Sequence, residues 1–337
     1  MPATYPASLT TPWPVTAHWG DDGLEIGGVP ASSLAEQYGT PLLVLDQQHL
    51  HRRCREVREA FPESLYAVKA LTSRRLLRLV SCEGLRFLVA SGGELEACLR
   101  AGIPASQVAL HGNHKTDEEL ERAIGADLML LICDNLEEIE RADAIAQRLG
   151  TRQDVLIRIV PEVGAGAHAH VVTGTADSKF GMRPADAEVA VQRVLRSRGL
   201  RYRGLHAHIG SQVLSADPYI AAIARVAALV ARIERHLGAP SDLLDMGGGF
   251  GITYVDESPL DLGLLAHAML ERLAESCRGI TRPALVVEPG RAIVGNAGVT
   301  LYRVGAVKHG AHGTRIVVVD GGMSDNPRQM LYGAQHA

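Results

Sequence analysis

Lysine is scarce in this chain: only four of its 34 basic residues, Lys69, Lys115, Lys179 and Lys308, are lysines. Arginine cannot form a Schiff base and a lysine amine can, which makes Lys69 a candidate for covalent chemistry. Genome composition can also favour arginine, so the count alone does not decide. No apolar run approaches the ~18 residues that cross a bilayer, which excludes a membrane-spanning helix. The formal net charge of −4 leaves no basic field for nucleic acid and no polybasic membrane patch. Met1–Thr16 lacks a basic stretch followed by an apolar core, so no secretory leader is expected and the expected compartment is the cytoplasm. CxxC pairs are missing too. The five cysteines, Cys54, Cys82, Cys98, Cys133 and Cys277, are odd in number and widely spread, which reads as reduced, mostly structural thiols and not as a zinc cluster.

What recurs instead is a short apolar run followed by a helical stretch. Candidate strands are Ser64–Lys69, Arg86–Ala90, Gln107–His111, Leu128–Cys133, Asp154–Val160, Arg203–Ile209, Asp242–Met246 and Ala284–Glu288. Helix-like segments between them include Arg74–Glu83, Gly93–Arg100, Asp117–Ile124 and Leu136–Leu149. Eight strands alternating with helices predict a (β/α)₈ TIM barrel; a doubly wound open sheet is the alternative. Polar and glycine-rich groups close strand after strand, which is where barrel enzymes build their sites. Gly23–Gly28 and Pro41–Leu45 read as strands before the barrel, Val299–Lys308 and Arg315–Val319 as strands after it. The expected organisation is a segment at 1–45 contributing to a β-domain, a barrel at 46–292, and the start of a β-domain at 293–337.

Lys69 closes the first barrel strand. Gly247-Gly-Gly-Phe-Gly251 follows the seventh, where consecutive glycines let backbone N–H groups approach a phosphate; a tight turn is the alternative. The run is not GxGxxG and comes late in the chain, which disfavours a dinucleotide fold. Glu288-Pro-Gly-Arg291 closes the eighth strand, and a glutamate there needs a cationic partner. A protonated ring nitrogen would serve; a structural pair with Arg291 is the bland alternative. His206-Ala-His-Ile-Gly-Ser-Gln212 closes the sixth strand. His208 can stack on a flat ring or sit as a satisfied core residue, and a two-histidine metal site lacks a third ligand at diagnostic spacing. An aldehyde for Lys69, a ring nitrogen for Glu288, a ring face for His208 and a phosphate for Ser211 and the glycines describe one ligand, pyridoxal phosphate.

The motifs Tyr66-Ala-Val-Lys-Ala70, Ser91-Gly-Gly-Glu-Leu95, His111-Gly-Asn113 with Lys115, Asp177-Ser-Lys-Phe-Gly181, His208-Ile-Gly-Ser-Gln212, Gly247-Gly-Gly249 and Glu288-Pro-Gly-Arg291 occur in an order that resembles one family. It is the barrel-type pyridoxal-phosphate decarboxylases of basic amino acids, relatives of ornithine decarboxylase and alanine racemase. Within that group the Ser91, His208 and Asp320-Gly-Gly-Met-Ser-Asp325 motifs look most like the diaminopimelate decarboxylases, over about Leu42 to Tyr332. The resemblance implies Lys69, His208 and Glu288 as catalytic residues. It implies Ser211, Gly248, Gly249, Pro289, Gly290 and Arg291 beside them as cofactor contacts, and Arg291, Arg328 and Tyr332 as substrate contacts. The implied reaction converts meso-2,6-diaminopimelate to L-lysine and carbon dioxide, with no metal, in a homodimer. Leu71 and Leu88 depart from the family's asparagine and aspartate, and a polarity change beside the cofactor is expected there. The family's later Cys-Glu-Ser and Gly-Ala-Tyr motifs are not in this sequence. The C-terminal β-domain is therefore expected to be truncated, and turnover to suffer more than cofactor binding. A cofactor-binding regulatory or inactive homologue, or a decarboxylase of another diamino or carboxy-polyamine substrate, are the alternatives.

Overall fold

A computed structural model describes residues 12–163 and 178–335. Most of Met1–Thr16, Asp177 and the side chain of Tyr332 lie outside the described residues. Two units divide the chain: the larger is Cys54–Gly251 with Pro259–Ala292, the smaller Met1–Arg53 with Ile252–Ser258 and Ile293–Ala337.

The larger unit is built on eight parallel strands paired in chain order: β1 (Leu65–Ala67), β2 (Arg86–Val89), β3 (Val108–Leu110), β4 (Leu130–Cys133), β5 (Gln153–Arg158), β6 (Leu200–His206), β7 (Leu243–Asp245) and β8 (Ala284–Val286). A parallel bridge between Ser64 and Val287 joins last to first, with Leu65 N–H donating to Val287 O at 2.9 Å and Ala67 N–H to Pro289 O at 3.0 Å. The sheet is the (β/α)₈ barrel its alternating pattern predicts, accompanied by extra β-sheets. Crossover helices cover it, among them Arg74–Cys82, Gly92–Arg100, Asp117–Gly125, Leu136–Leu149 and Asp217–Leu237. Several begin on a capping side chain one residue before the first turn. Ser73, Ser91 and Asn135 accept the N–H of Leu76, Glu94 and Glu138, and Thr116 with Glu119 forms a capping box; each cap satisfies a backbone donor left over at the helix start.

Strand alternation then sorts the barrel interior into levels. Leu65, Ala67, Leu88, Ala109, Leu130, Ile132, Leu156 and Val286 form one buried apolar cluster, with Leu243 packed against it. At the ends of β3 to β8, alternation brings a polar group to the same side: His111, Asp134, Arg158, His206, Asp245 and Glu288, all buried. β6 makes room by a register shift at Tyr202–Gly204, and Gly204 is required there: a Cβ on it would lie 1.9 Å from Leu243 O.

Three strand expectations change. β1 stops at Ala67, and Lys69 sits in a 3₁₀ turn, Val68–Ala70, with its side chain exposed. β6 begins and ends earlier than its apolar pattern suggests, leaving His208 in the loop beyond it. Val299–Lys308 is two strands, Gly298–Leu301 and Val304–His309, because the first pairs with Leu42–Leu45 and the second with Arg315–Val319. Both pairs belong to the smaller unit, as does the three-stranded sheet of His18–Gly20, Gly23–Ile26 and Val29–Pro30. Among the described residues no helix is long and apolar enough to cross a membrane.

Candidate active site

The loops after β6, β7 and β8 meet over the polar level. Glu288 N–H donates to Gly247 O at 3.0 Å, and Val213 N–H to Gly249 O at 2.9 Å. The glycine run is a cradle with no space for side chains. A Cβ on Gly248 would sit 2.0 Å from Glu288 O, and one on Gly249 would sit 2.1 Å from Gly210 O. Gly247, with φ of 69°, presses on His208, whose Nδ1 would be 2.4 Å from a Cβ there. Ser211 Oγ accepts from Arg291 Nη2 at 3.1 Å, tying the β6 loop to the β8 loop. The Pro289-Gly290 turn lies against the lysine turn: Pro289 O accepts from Ala67, and a Cβ on Gly290 would be 3.0 Å from Ala70 Cβ. The structure thus brings Lys69, His208, Ser211, Gly248, Gly249, Glu288, Pro289, Gly290 and Arg291 to one rim.

Electrostatics show what the rim holds. Burial pushes His208 well below its ordinary range, and the Lys69 charge pushes the same way, so its ring is neutral. Burial likewise lowers His206, to about 4. His206 Nε2 lies 3.0 Å from Glu288 Oε1. Burial raises Glu288 to about 7, against the opposing pull of Lys69 and Arg158. Asp245 is raised to about 8, by burial first and by the charge of Glu288 second. Donor atoms of His206, Asp245 and Glu288 lie within 4.8 Å of one another, close enough to share a cation. The positive charges of Arg158 and Lys69 beside them oppose one. Arg158 in turn has Nη1 3.8 Å from Asp134 Oδ1, and its guanidinium lies over Phe180 at 4.4 Å.

Asp245, Arg158 and Asp134 were missed in the sequence. A signal for all three was alternation: each is a polar residue two places beyond an inward apolar one, Leu243, Leu156 and Ile132. Leu88 belongs to the apolar level beneath the rim, so that departure changes barrel packing. Leu71 acts through its backbone, its carbonyl accepting from Tyr66 Oη at 2.9 Å. Arg328 belongs to the smaller unit, where its guanidinium lies 5.1 Å from the Tyr254 ring centroid.

Lys115 is engaged elsewhere. Its buried Nζ donates to Gly112 O at 2.8 Å, Ile132 O at 2.9 Å and Glu138 Oε1 at 2.7 Å, which uses all three ammonium hydrogens. This lysine fastens the loop after β3 to β4 and the following helix. Lys115→Met should cost about 3–5 kcal/mol of stability, because Glu138 is left buried without its counter-charge. Urea unfolding of the variant measures it; a loss below ~1 kcal/mol would show that the pair is not needed.

Residues 47–295 match the family described as "Pyridoxal-dependent decarboxylase, pyridoxal binding domain". The chain is 44% identical over 339 residues to a diaminopimelate decarboxylase of Actinosynnema pretiosum subsp. auranticum, covering 98% of this chain and 76% of that one. It is 42% identical to the diaminopimelate decarboxylase of Mycobacterium tuberculosis strain H37Rv, covering 92% and 73%. Among solved structures, diaminopimelate decarboxylase from M. jannaschii in co-complex with L-lysine superimposes with a TM-score of 0.90 at 30% identity, over 96% of this chain and 77% of that one.

Proposed function

The chain belongs to the pyridoxal-dependent decarboxylases and, among them, to the diaminopimelate decarboxylase family, and on that footing we propose that it converts meso-2,6-diaminopimelate to L-lysine and carbon dioxide with pyridoxal phosphate as cofactor. The observation that carries the reading is the convergence on one barrel rim of an exposed lysine amine, a buried glutamate and a glycine cradle. These residues fit the cofactor. The cradle has no room for a Cβ at Gly248 or Gly249, which keeps its backbone bare, and the buried Glu288 carboxyl is a match for a cationic ring nitrogen.

Bound there, pyridoxal phosphate supplies the electron sink for the pair left on the α-carbon when carbon dioxide departs. Lys69 would hold the cofactor's aldehyde carbon through its amine. Glu288, anchored by His206, places negative charge where the ring nitrogen must stay protonated. His208, neutral and packed where Gly247 leaves no room for a Cβ, would offer a ring face to stack on. Ser211, Gly248 and Gly249 take the phosphate, and Arg291 orients Ser211. Pro289 and Gly290 keep the Glu288 turn against the lysine turn. Arg291, Arg328 and Tyr332 are the proposed grip on the substrate, and 46–292 is the proposed cofactor-binding domain. We further propose a homodimer, to be checked by sedimentation, and a cytoplasmic location, where the five cysteines would stay reduced.

Borohydride reduction of the cofactor-loaded chain, followed by peptide mapping, should place the label on Lys69, and the loaded chain should release carbon dioxide and lysine from diaminopimelate. Label on Lys115 or Lys179, or no bound chromophore, overturns the reading.

A further inference from the structure

We propose that Asp245 is held as a neutral carboxylic acid that directs its proton at Glu288, so that Glu288 alone of the pair presents negative charge to the cofactor's ring nitrogen. This rests on the role given to Glu288 above and assigns a positioning role to a second carboxyl.

Asp245 is fully buried at the end of β7. Its Oδ1 accepts from Gly247 N–H at 2.8 Å, while Oδ2 is buried with no well-formed hydrogen bond among the described residues. A carboxylate with one donor and no water is costly, and a second carboxylate within 4.8 Å raises the cost. His206 does not relieve it by charging. Its Nε2 is taken by Glu288 Oε1, and its Nδ1 is buried with no partner among the described residues, so an imidazolium would bury an unpaired N–H. The neutral tautomer, with its proton on Nε2 and donated to Glu288, leaves only a lone pair unpaired. Glu288 then accepts from His206 and, with the proton on Oδ2, from Asp245.

The other charges around the pair agree on which acid ionises. Lys69 and Arg158 both favour the charged form of Glu288, whereas for Asp245 the leading influences are burial and Glu288 itself. Arg158 also answers to Asp134 on β4, so it is not free to neutralise two further carboxylates. A buried acid kept neutral so that it can donate a hydrogen bond is the pattern that pushes two neighbouring carboxyl groups into different roles.

Asp245→Asn tests this directly, because an amide reproduces the neutral acid: its oxygen keeps Gly247 N–H and its NH₂ replaces the Oδ2 proton. Asp245→Leu removes the donor. The dissociation constant of pyridoxal phosphate at pH 7 should change by less than about threefold in the first and rise at least about tenfold in the second, a tenfold change being about 1.4 kcal/mol. Infrared spectra of the cofactor-free wild-type chain should show a protonated-carboxyl band with two components, one fading as pH rises through about 7 and the other through about 8, and only the second should be missing from Asp245→Asn. Equal weakening in both variants would mean that a carboxylate is needed and overturns the proposal. So would a component fading through about 8 that survives Asp245→Asn but vanishes in Glu288→Gln. If the variants do not fold, the wild-type spectrum still decides, since no protonated carboxyl at pH 7 leaves nothing for Asp245 to donate. A wild-type chain that binds no cofactor yet shows the band overturns the role of Glu288, and with it what Asp245 is for.

Discussion

Lys69→Ala should lose the covalently held cofactor and lower turnover on the order of 10⁴-fold, the upper range for one positioned acid–base group, while the fold survives. The turn that carries Lys69 is held by its backbone, Leu71 N–H bonding Val68 O at 3.2 Å, and the side chain itself is exposed, so little packing is lost. Lys69 also projects charge: it helps hold His111, His206 and His208 below their ordinary range, after burial. Lys69→Arg separates the two contributions. Arginine keeps the positive charge and cannot form the bond, so the histidines should titrate as in the wild type while turnover falls as far as in the alanine variant. Histidine NMR titrations and a carbon-dioxide assay read both. An arginine variant within about tenfold of wild-type turnover would mean that Lys69 acts by charge, and the covalent assignment would be wrong.

Most of the barrel was legible because each buried parallel strand is a short apolar run between turn signals, and such runs recur with regular helical spacers. The ends were less legible. Strand β1 stops two residues before Lys69 because the chain beyond Ala67 turns back on itself, a local hydrogen bond that no hydrophobic pattern records. Gly298–Leu301 and Val304–His309 read as one strand because both are apolar; the break comes from having two different partners. In the site, motifs with rare residues stood out: a lysine in a lysine-poor chain, a triple glycine, a glutamate before proline. Asp245 and Arg158 did not, since an aspartate after Leu243-Leu and an arginine inside an apolar run look like ordinary strand ends. Their part depends on what faces them across the barrel, and that is set by closure of eight strands.

Glu288→Gln should keep the cofactor yet cost turnover on the order of 10²- to 10⁴-fold, and it should make the cofactor-free protein more stable at alkaline pH. The amide has the same length and its oxygen can still accept from His206, so the anchoring bond of 3.0 Å has a successor. What it lacks is the negative charge that keeps a ring nitrogen protonated; Lys69 and the phosphate cradle, which hold the rest of the cofactor, are untouched. The stability effect has a definite sign. Glu288 lies at about 7 in the fold against an ordinary 4.5, so its contribution is complete below pH 4.5 and is lost as pH rises through about 7. Glutamine has no proton to lose. At pH 8 the cofactor-free variant should therefore exceed the wild type by about 3 kcal/mol, and the gap should close toward pH 4.5. Thermal unfolding of both proteins across this range measures it, with turnover assayed in parallel. A variant that is stabilised at pH 8 and catalytically crippled shows the same buried carboxyl burdening the empty barrel and serving the loaded one, since burial raises its proton affinity until a cationic partner arrives. Near-normal turnover would remove Glu288 from the electron sink, and no gain in stability at pH 8 would mean that the empty site lets water reach it.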